Sequence, residues 1–204
     1  MNDVPPADHP RPGPALVDRL AKLPAANIGD AMQRLGVLDA RIQAVWPGAR
    51  LAGPALTIWT RAGDNLLIHQ ALSVVRPGDV IVVNGEGDET RALIGELIGA
   101  RAKAAGAAGF VIDGAIRDAD GLAGLGLPVF ARASTPAGPY KNGPGHLHRT
   151  IAVGGVAVAP GDILIGDGDG VVAVPMAEAA EVAAAAERVA ADEAAKWDSI
   201  TGGA

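Results

Sequence analysis

Phe110, Val111 and Ile112 form a short apolar run bounded by glycine and followed at once by Asp113, Gly114 and an Arg117-Asp118 pair. A run this short with no polar alternation is the pattern of a strand covered on both faces, so the chain must place layers on either side of a sheet. Helical patterns flank it. The segment from about Thr90 to Ala105 precedes the run, and a further short strand at Pro128 to Ala131 follows it. Alternation of helix and strand in the middle with β-rich flanks predicts an α/β fold with a mixed sheet.

The same reading extends along the chain. Leu16, Leu20 and Leu23 have helical spacing over Ala15 to Leu23, and Pro24 stops that helix. Asn27, with Asp30 three residues on, predicts the N-cap of a second helix that runs through Ala31, Met32 and Leu35 to Gly36. Arg50 to Thr60 reads as strand and Asn65 to Val75 as helix. Pro77-Gly78-Asp79 leads into the apolar Val80 to Val83, and Pro160-Gly161-Asp162 into Ile163 to Ile165, with a further strand at Val171 to Val174. These are two similar turn-strand units, for which the common turn chemistry of Pro-Gly and Asp is sufficient explanation. A long alanine-rich helix from Met176 to about Trp197 closes the pattern.

A chain of 204 residues suits one domain. Residues 1–14, with five prolines and no apolar stretch, read as a flexible leader and leave residues 15–204 as the domain. Aromatic residues make up only 3% of the chain, so Ala, Val, Leu and Ile must build the core. The formal net charge of −6 and the lack of a basic run argue against a sequence-independent hold on nucleic acid. Ala177 to Ala195 carries six charged residues, which a bilayer would not accept, so no membrane span is expected. The absence of cysteine removes disulfides, thiolate nucleophiles and Cys-ligated zinc, and accords with a reducing cytoplasm.

Arg117 offers a rigid, permanently charged fork suited to a carboxylate, and Asp118 beside it offers hard oxygen ligands. Glu96, in Gly95-Glu96-Leu97-Ile98-Gly99, stands upstream of Arg117 with twenty residues between them. A helix starting near Gly95 would aim the Leu97 and Ile98 N–H groups at an anion; one starting at Glu89 or Thr90 would bury Gly95 in its interior. In the first case Arg117 and the amides hold a carboxylate, while Asp118 and Glu96 gather a hydrated magnesium or manganese ion. Other signals are duller. His146 and His148 read as surface histidines, His69 as a packing or capping residue, and Asp167-Gly168-Asp169-Gly170 as a turn rather than a calcium loop. P-loop, dinucleotide, zincin and nucleophile-elbow motifs are absent.

Taken together, Asn27-Ile-Gly-Asp-Ala, Gly63-Asp-Asn-Leu, Pro77-Gly-Asp-Val, Gly95-Glu-Leu-Ile-Gly, Asp113-Gly-Ala-Ile-Arg-Asp, Pro160-Gly-Asp-Ile and Asp167 to Pro175 resemble the RraA-like family, which includes the 4-hydroxy-4-methyl-2-oxoglutarate aldolases. Its acid-x20-Arg-Asp motif is met by Glu96, Arg117 and Asp118, with Glu where many of the aldolases have Asp. The resemblance implies a single domain of the swivelling β/β/α type and a homotrimer or homohexamer with sites at subunit boundaries. It implies that Asp118 binds Mg2+ or Mn2+, that Glu96 reaches the ion through water, and that Arg117 with the Gly95–Ile98 turn holds the pyruvyl carboxylate. A further acid from the neighbour's last helix is expected, Glu193 or Asp192. The implied reaction is metal-dependent cleavage of a 4-hydroxy-2-oxo acid to pyruvate, with oxaloacetate decarboxylation, because an enolate formed at C3 needs a positive charge near the C2 oxygen. No lysine stands within the motif, which favours the metal route over an imine. The family also holds regulators that inhibit ribonuclease E by contact, and the motif by itself leaves both readings open.

Overall fold

Parallel pairing in the centre and antiparallel pairing at both margins define the sheet. The computed structural model describes residues 10–202. Two helices, α1 (Pro14–Leu20) and α2 (Ala25–Ala31), precede a two-residue strand β1 (Gln43–Ala44) and the long β2 (Leu51–Thr60). Then α3 (Leu66–Ala71), β3 (Val80–Ile94), α4 (Glu96–Ala104), β4 (Gly109–Ile116), α5 (Ala119–Gly124) and β5 (Val129–Ser134) alternate. The chain closes with β6 (Gly145–Leu147), β7 (Ile151–Val153), β8 (Val156–Val158), β9 (Ile163–Asp167), β10 (Gly170–Val174) and α6 (Ala179–Thr201).

The order across the main sheet is β1-β5-β4-β3-β2-β9-β10, with β2 to β5 mutually parallel and β1, β9 and β10 antiparallel to their neighbours. The mixed α/β sheet and long C-terminal helix expected from sequence are present. Along one edge β2 takes two antiparallel partners in turn, β9 on its first half and β6 on its second. A separate β7-β8 hairpin lies off the sheet.

Every residue of β4 is buried. Alternation sends Phe110 and Ile112 to one core with Ile81 and Val83, under α3, α4 and α5, and Val111 to a second with Val80, Val82 and Phe130. Each such burial contributes roughly 1.5–3 kcal/mol. A third core joins α1, α2 and the first half of α6 to β9 and β10 through Leu20, Ile28, Ile165, Val182 and Ala186. The two Pro-Gly-Asp units fold alike: Asp79 Oδ2 accepts from Arg76 N–H at 2.8 Å and Asp162 Oδ2 from Ala159 N–H at 2.7 Å.

Several boundaries differ from the sequence reading. The second helix begins at Ala25, its N-cap is Pro24, and Ala25 N–H is taken by Asp167 Oδ2 at 2.9 Å across the fold. Asn27 is therefore a buried helical residue, and its Nδ2 donates to Glu193 Oε2 at 2.7 Å. The expected helix from Thr90 is strand as far as Ile94, because β3 follows β4 through irregular register shifts. Residues 1–9 of the expected leader lie outside the described residues; within the rest of it, Arg11 reaches Pro77 O at 2.9 Å and Asp79 at 3.1 Å, and Pro14 opens α1. Among the described residues no helix is long and apolar enough to cross a membrane.

Candidate active site

The end of β3, the start of α4 and the end of β4 meet at Gly95. Its φ of −149° is extended, and a side chain there would run into the Asp118 carboxylate and the Arg117 stem, so glycine is what allows β4's end to approach. Helix α4 starts at Glu96, and its first i−4 bond is Gly99 N–H to Gly95 O at 3.0 Å, which leaves the Leu97 and Ile98 N–H groups ahead of the helical ladder. Of the two starts the sequence allowed, the structure has the one at Gly95. Asp118 takes φ +55°, ψ +44°, a left-handed conformation that costs a non-glycine residue of order 1–3 kcal/mol and clusters at functional sites. That turn brings Asp118 Oδ2 to 3.2 Å from Glu96 N–H and 3.5 Å from Arg117 Nε.

These groups face a cleft of about 170 Å³ lined by Gly95, Leu97, Ile98, Arg117 and Asp118 and, from other segments of the chain, by Asn65, His69 and Lys141. Ala92, Leu93, Ile94 and Pro139 add apolar wall. The residues expected to hold a carboxylate thus share one cleft. Glu96 is different: its side chain is exposed and lies over Gly121 of α5, 2.6 Å from where a Cβ on that glycine would sit, and it is not part of the cleft wall. Glu193 lies on α6 against Asn27 of its own chain. Asp113, which flanks the motif, is 7% exposed and serves elsewhere, paired with Arg132 and accepting from Gly154 N–H at 2.7 Å.

Three wall residues were not singled out as site residues from sequence. Asn65 is 2% exposed; its Nδ2 donates to Leu93 O at 2.9 Å, and its buried Oδ1 has no hydrogen-bond partner. An acceptor left bare in a polar cleft suits a ligand hydroxyl or a bound water. His69, read as packing or capping, lines the cleft with Arg101 Nη1 3.2 Å from its Nδ1. A guanidinium only donates, so Nδ1 accepts and the neutral ring carries its proton on Nε2. Burial foremost, then the charges of Lys141 and Arg101, push the His69 pKa down and keep the ring neutral. Lys141 corrects the expectation that no lysine is near the site; it comes from the Gly- and Pro-rich loop, which has no periodicity to reveal it. His148 is half-buried rather than on the surface, whereas His146 is exposed and packs on Trp59 with ring centres 5.6 Å apart. The Asp167–Gly170 segment is the turn expected, with Asp167 Oδ1 accepting from Asp169 N–H at 3.1 Å.

Arg117 and Lys141 give the cleft wall positive charge, and Asp118 is the carboxylate in its lining. No cluster of three or more His, Asp or Glu side chains able to hold a metal occurs among the described residues. A single carboxylate with an unpartnered amide oxygen nearby is nevertheless compatible with magnesium, which keeps most of its waters and is held by one or two carboxylates.

Backbone N–H groups at a strand-to-helix junction beside an Arg-Asp pair can receive a small carboxylate. Residues 25–173 match the family described as RraA-like, Aldolase/RraA, and the chain belongs to that family. It is 37% identical over 185 residues, 91% of this chain and 88% of the other, to a Halalkalibacterium halodurans protein named "Putative 4-hydroxy-4-methyl-2-oxoglutarate aldolase". Among solved structures it resembles an uncharacterized protein from Pseudomonas syringae pv. tomato, with TM-score 0.85, 28% identity and 96% of each chain covered. It also resembles Streptomyces coelicolor RraAS2, described as an unusual member of the RNase ES inhibitor RraA protein family, with TM-score 0.78, 29% identity, and 94% of this chain and 98% of the other covered.

Proposed function

We propose that the protein is a cytoplasmic, divalent-metal-dependent lyase that releases pyruvate from a 4-hydroxy-2-oxo diacid such as 4-hydroxy-4-methyl-2-oxoglutarate, and that it also decarboxylates oxaloacetate. The observation that carries this reading is that Arg117, the Leu97–Ile98 turn at the start of α4 and Lys141 all line one cleft, which gives a substrate with two carboxylates more than one cationic or N–H partner. Arg117 and the amides hold the carboxylate next to the 2-oxo group. Lys141 takes the distal carboxylate, and Asn65 Oδ1 accepts from a substrate hydroxyl or a bound water. Asp118 would hold Mg2+ or Mn2+, with Glu96 turned in to contact it through water; when bound, the ion supplies Lewis-acid stabilisation of charge at the C2 oxygen. In the cleavage the C4 hydroxyl gives up its proton to a base, C4 becomes a carbonyl, and the C3–C4 electron pair passes to the pyruvyl fragment as an enolate that then takes a proton from solvent at C3, with Arg117 stabilising the developing charge from the carboxylate side.

A homotrimer or homohexamer is part of the proposal, with Glu193 of an adjoining copy as the further acid. Every residue from 191 to 200 is exposed, Trp197 at 67% and Ile200 at 79%, which supports contact with another copy. A second reading, a regulator that binds a ribonuclease by protein contact, is favoured by the likeness to RraAS2. Pyruvate release from oxaloacetate and from 4-hydroxy-4-methyl-2-oxoglutarate, with magnesium and with chelator, separates the two. Release that needs the cation supports the lyase; no release from either acid favours the regulator. Irreversible inactivation by borohydride only in the presence of substrate would instead establish an imine at Lys141.

A further inference from the structure

Asp64 is fully buried, yet its carboxylate is spent on two other segments that carry wall residues of the cleft. Oδ1 accepts from Leu66 N–H at 2.9 Å, at the start of α3, the helix that carries His69. Oδ2 accepts from Asn142 N–H at 2.7 Å and Gly143 N–H at 3.0 Å, and from Arg61 at 3.1 Å. Lys141 is thereby pinned from both sides. Behind it Asn142 is tied to Asp64; ahead of it Tyr140 O accepts from Asn65 N–H at 3.0 Å and Tyr140 N–H donates to Gly63 O at 2.8 Å. Arg91 stacks on the Tyr140 ring at 4.2 Å and donates to Gly138 O at 3.0 Å. Burial by itself would raise the Asp64 pKa, but the three backbone N–H groups and Arg61 outweigh it and hold the group below its ordinary value, so the anion persists.

We propose that Asp64 is a positioning residue that holds the segment carrying Lys141 in the wall of the cleft, where that lysine receives the distal carboxylate of a diacid substrate, and so sets the preference for diacids over monoacids. The proposal rests on the reading of the cleft as a 2-oxo diacid site. A free lysine on a proline-rich loop would lose much of its contribution to the entropy of ordering it at each binding event. The chemistry also explains why a carboxylate is needed. It offers only acceptors to the N–H groups of Leu66, Asn142 and Gly143, whereas an amide must turn its own NH2 toward at least one of them.

Steady-state kinetics on magnesium-loaded full-length protein test this, with 4-hydroxy-4-methyl-2-oxoglutarate, whose distal carboxylate survives the cleavage, as diacid and pyruvate as a competitive monoacid. Asp64→Asn is expected to raise KM for the diacid by about tenfold with kcat within about twofold, while the inhibition constant of pyruvate, which needs only the Arg117 side, stays unchanged. Lys141→Ala should show the same pattern, and the double variant should be no worse than Lys141→Ala, since Asp64 acts through that lysine. If Asp64→Asn yields no folded protein, Asp64→Glu, which keeps the charge and displaces it by one methylene, carries the same comparison. Effects that add fully in the double variant, or a pyruvate constant that rises in step with KM, overturn the positioning role. A wild-type protein that does not cleave 4-hydroxy-4-methyl-2-oxoglutarate overturns the function on which the role depends, and is recognised before any variant is made.

Discussion

Arg117 and Asp118 do different work although they are adjacent. Arg117 presents two nitrogens in a plane, and its Nη atoms hydrogen-bond to no described residue, so the fork is open to a ligand. Arg117→Lys keeps the charge but loses the second hydrogen bond, and turnover should fall on the order of ten- to a hundred-fold in a pyruvate-release assay. Near-normal turnover would show that the fork is not used. Asp118→Asn should weaken Mn2+ binding by titration calorimetry, since the amide lacks the charge that attracts the cation; unchanged binding would place the ion elsewhere. His69 has a consequence for pH. Its pKa in the folded protein lies below the ordinary 6.5, so its contribution to stability is fully present above about 6.5 and is lost as pH falls through the folded value. His69→Gln should flatten the fall in thermal midpoint below that pH, and an unaltered slope would assign it to other groups. Arg117 and Asp118 were legible because they follow a recognisable strand, whereas the sequence left two helix starts open around Gly95. Asn65 and Lys141 were not, since a single polar residue at a helix start and a lysine in a loop carry no pattern until the fold brings them together.

At the scale of elements the sequence was most legible in β4, where an unbroken apolar run matches a strand buried on both faces. It was least legible at the junction of β3 and α4. Leu93, Ile94, Leu97 and Ile98 have helical spacing, but they straddle Gly95: the first pair ends a strand and the second begins a helix. The N-cap of α2 misled for a related reason. Its first N–H is satisfied by Asp167 from the β9-β10 turn, a long-range partner that local motifs do not encode. The crossing of α4 and α5 gives a test of the site's scaffold. A Cβ on Gly99 would lie 2.5 Å from Leu122 Cδ2, so Gly99→Val must separate the helices that carry Leu97 and Asp118. A loss of about 1–3 kcal/mol in denaturant unfolding is expected, together with reduced turnover. A variant as stable as wild type would mean the helices yield without cost.

For the molecule as a whole, α6 divides into two parts. Its first half is core, with Ala179, Val182, Ala183 and Ala186 buried against β9, β10 and the first two helices. Its own domain therefore supplies part of the surface that an alanine-rich helix needs. Beyond Ala190 the helix is exposed along its length. Deleting residues 191–204 should lower the helical circular dichroism by the helix removed and cost in stability mainly the Asn27–Glu193 hydrogen bond, about 1–3 kcal/mol, while sedimentation shows a smaller assembly and pyruvate release falls. Glu193→Ala should keep the assembly and reduce turnover. A truncated protein that remains assembled and active would show that the exposed half serves neither purpose.

The anion grip proposed at the start of α4 is made of main chain, and that has an evolutionary consequence. Leu97 is 80% exposed, so its side chain can be exchanged for almost any other while the N–H stays where it was. Distant relatives can therefore diverge at this position and retain the same hold on a carboxylate, and an alanine scan would pass over it without effect. Proline alone removes the donor, and the first turn of a helix is the place where proline does so without breaking the helix. Leu97→Pro thus deletes one hydrogen bond from the backbone, a change that no exchange among the other side chains at this position can make.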